Sequence, residues 1–194
     1  MKTVELPSEV EELLNAADRR IEAFLESQDG GTLPGFVPSD FVRVYEVLAA
    51  VRKADIVPEN TFCEWGSGIG VVACLAAMQG YETYGIEIAD ELVDESRELA
   101  AEHNLDVTFS HGSYIPEGGE PWLDSIAETA WIESGGADAY EDLGLDVDDF
   151  GLIFAYPWPG DEQVLEDLFD HYAATDAVLL TFHGIEDLKV QIKR

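Results

Sequence analysis

Basic residues are scarce in this chain: 10 Lys and Arg stand against 41 Asp and Glu in 194 residues, a formal net charge of −31. From residue 98 to residue 188 there is no Lys or Arg at all, while the same stretch holds 22 acids. Nucleic-acid affinity rests on neutralising phosphates, so this deficit argues against a DNA or RNA partner. Cysteine is nearly absent too. Cys63 and Cys74 have no paired spacing, and His103, His111, His171 and His183 are scattered. This excludes a disulfide framework and a zinc site, no metal is expected, and both cysteines read as buried small hydrophobes. No apolar run approaches the roughly 20 residues needed to cross a membrane, and Met1 to Leu14 alternates apolar residues with Glu. The expectation is therefore a cytoplasmic protein with no membrane partner and no signal peptide.

Apolar content is not lacking. At 46% hydrophobic residues the chain can bury a core, which an acidic disordered tail cannot. Its acidity has two readings. One is a solvated coat suited to high salt, where repulsion is screened and acidic groups favour solubility; the other is attraction of a cationic substrate.

The apolar spacing predicts a helix over residues 8 to 28, with Val10, Leu13, Leu14, Ala17, Ile21, Phe24 and Leu25 on one face and Ser8 and Glu11 as a capping box. The Gly- and Pro-rich stretch from Asp29 to Pro38 breaks it, and Ser39 is placed to cap a second helix carrying Phe41, Val44, Tyr45, Leu48 and Val51. Residues 1–57 thus read as an N-terminal helical layer, and residues 58–194 as the main unit. Strands are expected at 61–65, 83–88, 106–111, 151–156 and 177–182, alternating with helices at about 69–79, 90–103 and 161–173. That alternation predicts right-handed crossovers and an α/β domain with a mostly parallel sheet flanked by helices. Leu188, Val190 and Ile192 alternate as a sixth strand. Residues 113–149 fit the alternation poorly, although Trp122, Ile126 and Ala130 suggest a short helix ended by Gly135 and Gly136; so long an irregular stretch over a compact sheet points to function. No heptad pattern specifies an oligomer.

The strongest local signal is Phe62-Cys63-Glu64-Trp65-Gly66-Ser67-Gly68-Ile69-Gly70, a strand entering a glycine turn and then a helix. Glycines let the backbone bend sharply and a ligand approach it, and the helix beyond presents free N–H groups, so a nucleoside ligand is implied. Glu87, 23 residues after Glu64, ends the next strand, where a carboxylate can accept hydrogen bonds from both hydroxyls of a ribose. Gly68, Gly70 and Ala73 also satisfy the dinucleotide pattern G-x-G-x-x-A. However, Glu64 would set a negative charge beside a pyrophosphate, at a cost of roughly 1 to 4 kcal/mol for charges about 4 Å apart. A ligand carrying a cationic sulfonium, S-adenosyl-L-methionine, fits that electrostatics better. A purely structural turn is the third option.

An acidic residue followed by x-G-x-G-x-G, here Glu64 to Gly70, with Glu87 downstream, resembles the class I S-adenosylmethionine-dependent methyltransferases over about residues 36–187. The resemblance implies a Rossmann-like fold with S-adenosyl-L-methionine as cofactor. It implies that Glu64, Trp65, Gly66, Ser67, Gly68 and Gly70 form the cofactor turn, with Glu64 and Gly66 to Gly68 along the methionine part. Glu87 would bind the ribose, Ile88 cover the adenine, and Gly112 and Ser113, after the third strand, lie at the adenine, without the Asp often found there. Phe36 to Asp40 ahead of a helix is similar to an arrangement in some protein lysine methyltransferases. The family sheet commonly ends in a strand hairpin after the fifth strand, whereas only Leu188 to Arg194 remains here, so a shortened C-terminal strand region is expected.

In that fold the loop after the fourth strand, Tyr156-Pro157-Trp158-Pro159, faces the methyl group. It resembles the Asn/Asp-Pro-Pro-aromatic layout of amino methyltransferases, with Tyr156 in the first position, which disfavours a planar base as acceptor. Tyr156 is the candidate catalytic residue, and Tyr156, Pro157 and Trp158 the candidate substrate residues, forming an aromatic wall beside a cationic amine. A plainer reading has these aromatics cap the sheet edge, and Trp65 pack beneath the turn. Glu117, Glu120 and His183 are further candidates for taking a proton, with no spacing to favour them. The leading reading is a methyltransferase acting on an amine of a protein or small molecule. A non-catalytic nucleoside-binding protein and an NAD-linked oxidoreductase are the alternatives.

Overall fold

The structure, a computed structural model, describes residues 5–27, 40–119, 139–183 and 188–194. Among them, helix α1 (Ser8–Ser27) and helix α2 (Phe41–Ala54) precede strand β1 (Thr61–Trp65), α3 (Val71–Met78), β2 (Glu82–Glu87), α4 (Asp90–Glu102) and β3 (Val107–His111). A short helix α5 (Ala139–Leu143) and a 3₁₀ turn (Val147–Asp149) lead into β4 (Leu152–Ala155), α6 (Glu162–Tyr172), β5 (Val178–Phe182) and β6 (Leu188–Ile192).

The six strands form one sheet in the order β3-β2-β1-β4-β5-β6. The first five are mutually parallel, and β6 runs antiparallel to β5, with Leu180 opposite Val190. Among the described residues β6 is the one antiparallel strand, at the edge of the sheet beside β5.

Parallel strands covered on both faces must be apolar on both faces, and β1, β4 and β5 obey. Phe62, Leu152, Phe154, Val178 and Leu180 join a core with the buried sides of α1, α2, α3 and α4. Their neighbours Cys63, Trp65, Ile153, Ala155 and Leu179 join a second core with Tyr140, Val147 and the Val164, Leu165, Leu168 and Phe169 face of α6. The crossovers β1-α3-β2 and β2-α4-β3 lie on one face and β4-α6-β5 on the other, so the direction of winding reverses between β1 and β4. In such sheets the crevice beyond the carboxyl ends of the strands at that reversal is where ligands bind.

Two caps differ from expectation. Ser8 is already inside α1, whose first turn is fixed by Pro7 O accepting from Val10 N and Glu11 N at 3.0 and 3.1 Å, so no Ser8–Glu11 box precedes the helix. At α2 the cap is Asp40, whose carboxylate accepts the Arg43 N–H at 3.0 Å. Ser39, the breaker from Asp29 to Pro38, and the Trp122–Ala130 helix with Gly135 and Gly136 fall outside the described residues. Helix α1 packs on α3 and α4, and its Val10, Leu13, Ala17 and Ile21 lie in the core they share. Arg20 of α1 also reaches Glu95, Glu98 and Glu102 of α4 at 2.8, 3.2 and 3.1 Å.

Candidate cofactor and acceptor site

At the end of β1 the chain turns through Gly66 to Gly70. Gly66 N and Ser67 N both donate to Ile86 O at 2.9 Å, and Gly70 N closes onto Ser67 O at 2.8 Å. Gly70 caps α3 with φ +74°, and a Cβ there would come within 2.4 Å of the Phe109 ring. Gly85, in β2, is equally tight against the same ring at 2.6 Å. Phe109 of β3 thus fills the floor beneath the turn, and only glycines leave room for it.

Two carboxylates pack against this turn. Glu64, 5% exposed, accepts the Ala73 N–H of α3 at 2.8 Å. One of the oxygens expected to face a cationic ligand is therefore engaged by the helix. Burial pushes the Glu64 carboxyl well above the ordinary glutamate range; the Ala73 N–H opposes this and the charge of Glu87 adds to it. Glu87, at the end of β2, accepts from Gly68 N at 2.8 Å and Ala89 N at 2.9 Å. Its carboxyl is also raised by burial, against the N–H groups of Ala89, Gly68 and Ile88 and the nearby His111.

The end of β3 closes on the same region. Gly112 N donates to Glu87 O at 2.9 Å, His111 Nε2 pairs with Ile88 O at 2.9 Å, and Ser113 Oγ accepts from Ile115 N at 3.1 Å. Ile88 is half-buried beside them. The structure therefore joins Glu87 to the glycine turn through Gly68, and the end of β3 to the end of β2 through Gly112 and Ile88, with Ser113 following Gly112.

Trp65 is buried on the α6 side, its ring stacked on Tyr114 at 5.5 Å and 11°. This is the plainer packing arrangement. Trp65 Nε1 and Ser67 Oγ are buried with no hydrogen-bond partner among the described residues.

Beyond β4, Tyr156 is half-buried and meets Phe182 edge-on at 5.3 Å and 89°. Pro157 is buried, Trp158 half-buried, and Trp158 O accepts the Asp161 N–H at 2.9 Å. The remaining proton-taking candidates separate. His183 Nε2 pairs with Thr181 Oγ1 at 2.8 Å, Glu117 is exposed, and Glu120 is not among the described residues.

Sequence reasoning missed Gly85, Phe109 and Tyr114, which pack beneath or against the turn. An isolated glycine inside a strand pattern was a readable signal for Gly85; the other two have none in spacing. Asp146, Asp148 and Asp149 have carboxylates close enough together for a metal, but all three are exposed. Reciprocal capping of the 3₁₀ turn, including Asp146 N on Asp149 Oδ2 at 2.8 Å, accounts for their proximity.

No protein-family model and no curated protein sequence matches this chain. Solved structures do. An RNA methyltransferase from Salinibacter ruber in complex with S-adenosyl-L-homocysteine is 20% identical, with a TM-score of 0.51 over 75% of this chain and 76% of its own. An O-methyltransferase from Bacillus cereus, also in complex with S-adenosyl-L-homocysteine, is 16% identical with a TM-score of 0.54 over 93% and 68%. A hypothetical protein from Thermus thermophilus is 15% identical with a TM-score of 0.56 over 84% and 92%. The turn, the strand order and these likenesses agree: the chain has the Rossmann-like fold of the class I S-adenosylmethionine-dependent methyltransferases.

Proposed function

We propose that this protein is an S-adenosylmethionine-dependent methyltransferase. The observation that carries the reading is the pair Glu64 and Glu87, two buried carboxylates against one glycine turn at the reversal of the sheet. Both are already raised by burial. A pyrophosphate would add negative charge to them, whereas a cation relieves them. This ranks the NAD-linked alternative below the methyltransferase.

The residues present fit the cofactor. Glu87 is placed to accept from ribose hydroxyls, Ile88, Gly112 and Ser113 flank the adenine end, and Gly66, Ser67, Gly68 and Gly70 frame the turn, with Glu64 and Trp65 behind it. The unpaired Ser67 Oγ supplies a hydrogen-bonding group at that turn. When bound, the cofactor supplies an electrophilic methyl group. The protein's part is to hold the acceptor in line with it, a positioning effect that contributes roughly 7 to 11 kcal/mol. Tyr156, Pro157 and Trp158 are the acceptor-side residues in this reading, with Tyr156 the proposed catalytic group.

The acceptor we favour is an amine on a protein or small molecule. The Salinibacter neighbour acts on RNA, but a net charge of −31 opposes binding a polyanion here. Residues 1–57 are read as a helical layer attached to the catalytic unit 58–194, and the protein as cytoplasmic, in keeping with two free buried thiols. Among the described residues no helix is long and apolar enough to cross a membrane.

Titration calorimetry with S-adenosyl-L-homocysteine tests the cofactor: binding is expected, weakened by Gly68→Val and by Glu87→Ala, and its absence in the wild type overturns the reading. Tighter binding of NADH would instead favour the oxidoreductase. Transfer of a labelled methyl group to any fraction of a cell extract separates an enzyme from a binding protein.

A further inference from the structure

Strand β6 ends the sheet, with no strand beyond it among the described residues. In an antiparallel pair, alternate residues turn both backbone groups to the partner strand and the residues between turn theirs away. Lys193 donates its N–H to Ala177 O at 2.9 Å and accepts from Asp176 N at 3.0 Å, so it faces the β5 side, whereas the Val178 N–H goes to Gly151 O, on the β4 side. With the register of β5 and β6, this alternation gives Lys189, Gln191 and Lys193 the bonds to β5. The N–H and C=O groups of Leu188, Val190 and Ile192 are left along the open edge. Such a row is a template for another strand.

The two faces of β6 differ. Lys189 and Gln191 lie over α6, where Lys189 Nζ meets Glu166 Oε1 at 2.5 Å and Gln191 Nε2 donates to Asp170 Oδ1 at 2.9 Å. A lysine on an edge strand ordinarily keeps other strands away, but this one is engaged by its own helix. On the opposite face Val190 and Ile192 stand beside Leu180 and Val178 of β5. Those two are fully buried, whereas Val190 is 46% and Ile192 45% exposed. The helical cover thus stops one strand short of the edge.

Charge decides what can approach. A net charge of −31 holds copies of this chain apart, yet residues 188–194 contain no acid and three bases, Lys189, Lys193 and Arg194. Glu186 and Asp187 directly precede the strand in the sequence, and Lys193 and Arg194 directly follow it. Antiparallel pairing sets the start of one strand beside the end of the other, so the acid-flanked start in each copy meets the base-flanked end in its partner. Register is selective too. Centring on Lys189 sets two lysines face to face, and centring on Gln191 sets Lys189 opposite Lys193; centring on Val190 sets Lys189 opposite Gln191 and Leu188 opposite Ile192. Like charges directly opposite destabilise a strand pair.

We propose that β6 pairs with β6 of a second copy of this chain, antiparallel about a two-fold axis at Val190, joining the two sheets and covering Val190 and Ile192. A contact of this kind is self-complementary and closes at a dimer. Two five-residue strands make an interface at the small end of the specific range, so the dimer forms in proportion to concentration.

Sedimentation equilibrium over a range of protein concentrations should show monomer and dimer exchanging in the wild type. Val190→Pro removes the N–H at the centre of the open edge and leaves the bonds to β5 in place. It should raise the dimer dissociation constant about tenfold or more, since the two-fold axis doubles the loss. Val190→Lys, which sets two lysines face to face, should do the same and carries the comparison if the proline variant does not fold. Under oxidation Val190→Cys should give a disulfide-linked dimer, because each residue meets its counterpart, and Lys189→Cys should not; the native Cys63 and Cys74 are buried. A wild type that stays monomeric or grows beyond a dimer, a dimer unaffected by the Val190 variants, or Lys189→Cys linking as fast as Val190→Cys overturns the proposal.

Discussion

Glu64 and Ala73 are joined by a 2.8 Å hydrogen bond, from the Ala73 N–H to a carboxylate oxygen, and this bond holds the end of β1 and the first turn of α3 as one piece on either side of the glycine turn. Gly70, the cap residue, has no side chain to satisfy that N–H, so the strand supplies the acceptor. Glu64→Ala should destabilise the fold by about 1 to 3 kcal/mol, through the lost cap and the unsatisfied buried N–H. Glu64→Gln, which keeps an acceptor oxygen, should lose much less. Urea denaturation measures both, and equal losses would make the charge, not the acceptor, the stabilising feature.

The raised carboxyl of Glu64 gives stability a definite pH dependence. The folded state holds this proton more firmly than the unfolded chain, where the group titrates near 4.5. Stability should therefore fall as pH rises from about that value up to the raised folded value, and level off above it. Glu87 acts in the same direction. Thermal midpoints measured across this window should show the decline, and Glu64→Gln should flatten part of it.

The same protonation couples to ligand charge. A cationic sulfonium favours the ionised form of Glu64 and Glu87, so S-adenosyl-L-methionine should gain on neutral S-adenosyl-L-homocysteine as pH rises. Competition binding at several pH values reads the ratio directly; a ratio independent of pH would mean that neither carboxylate senses the sulfonium.

Gly85 and Gly70 share one obstacle, the Phe109 ring, at 2.6 and 2.4 Å from their would-be Cβ atoms. Gly85→Ala should cost about 1 to 3 kcal/mol through overpacking. Gly70→Ala should cost more, because it adds the strain of a positive φ. Phe109→Leu in the same chain should recover part of the Gly85→Ala loss. Additive losses in the double variant would show that the ring is not what excludes the methyl group.

How much was legible depended on what each feature rests upon. The strands were readable because burial on both faces forces unbroken apolar runs such as Leu152 to Ala155, and Gly66 to Gly70 with Glu64 and Glu87 announced the turn. The sixth strand was readable from the alternation of Leu188, Val190 and Ile192, although its antiparallel pairing with β5 was not. Glu64 was readable as an acid beside the turn but not as the partner of Ala73, since nine residues and a chain reversal separate them. Tyr114 stacks on Trp65 only because the fold returns the segment after β3 to the end of β1, and no periodicity records a meeting of residues 49 apart (114 − 65).

Arg20 gives the molecule two opposite responses to salt. Added ions screen the mutual repulsion of a chain with net charge −31 and so consolidate the body of the fold, where apolar contacts are indifferent to them. The same ions weaken the attachment of Arg20 to Glu95, Glu98 and Glu102, partly exposed pairs of about 0.2 to 1 kcal/mol each. Rising salt should therefore slow amide exchange in the sheet while speeding it in the Arg20 turn of α1, a divergence that a single melting curve averages away.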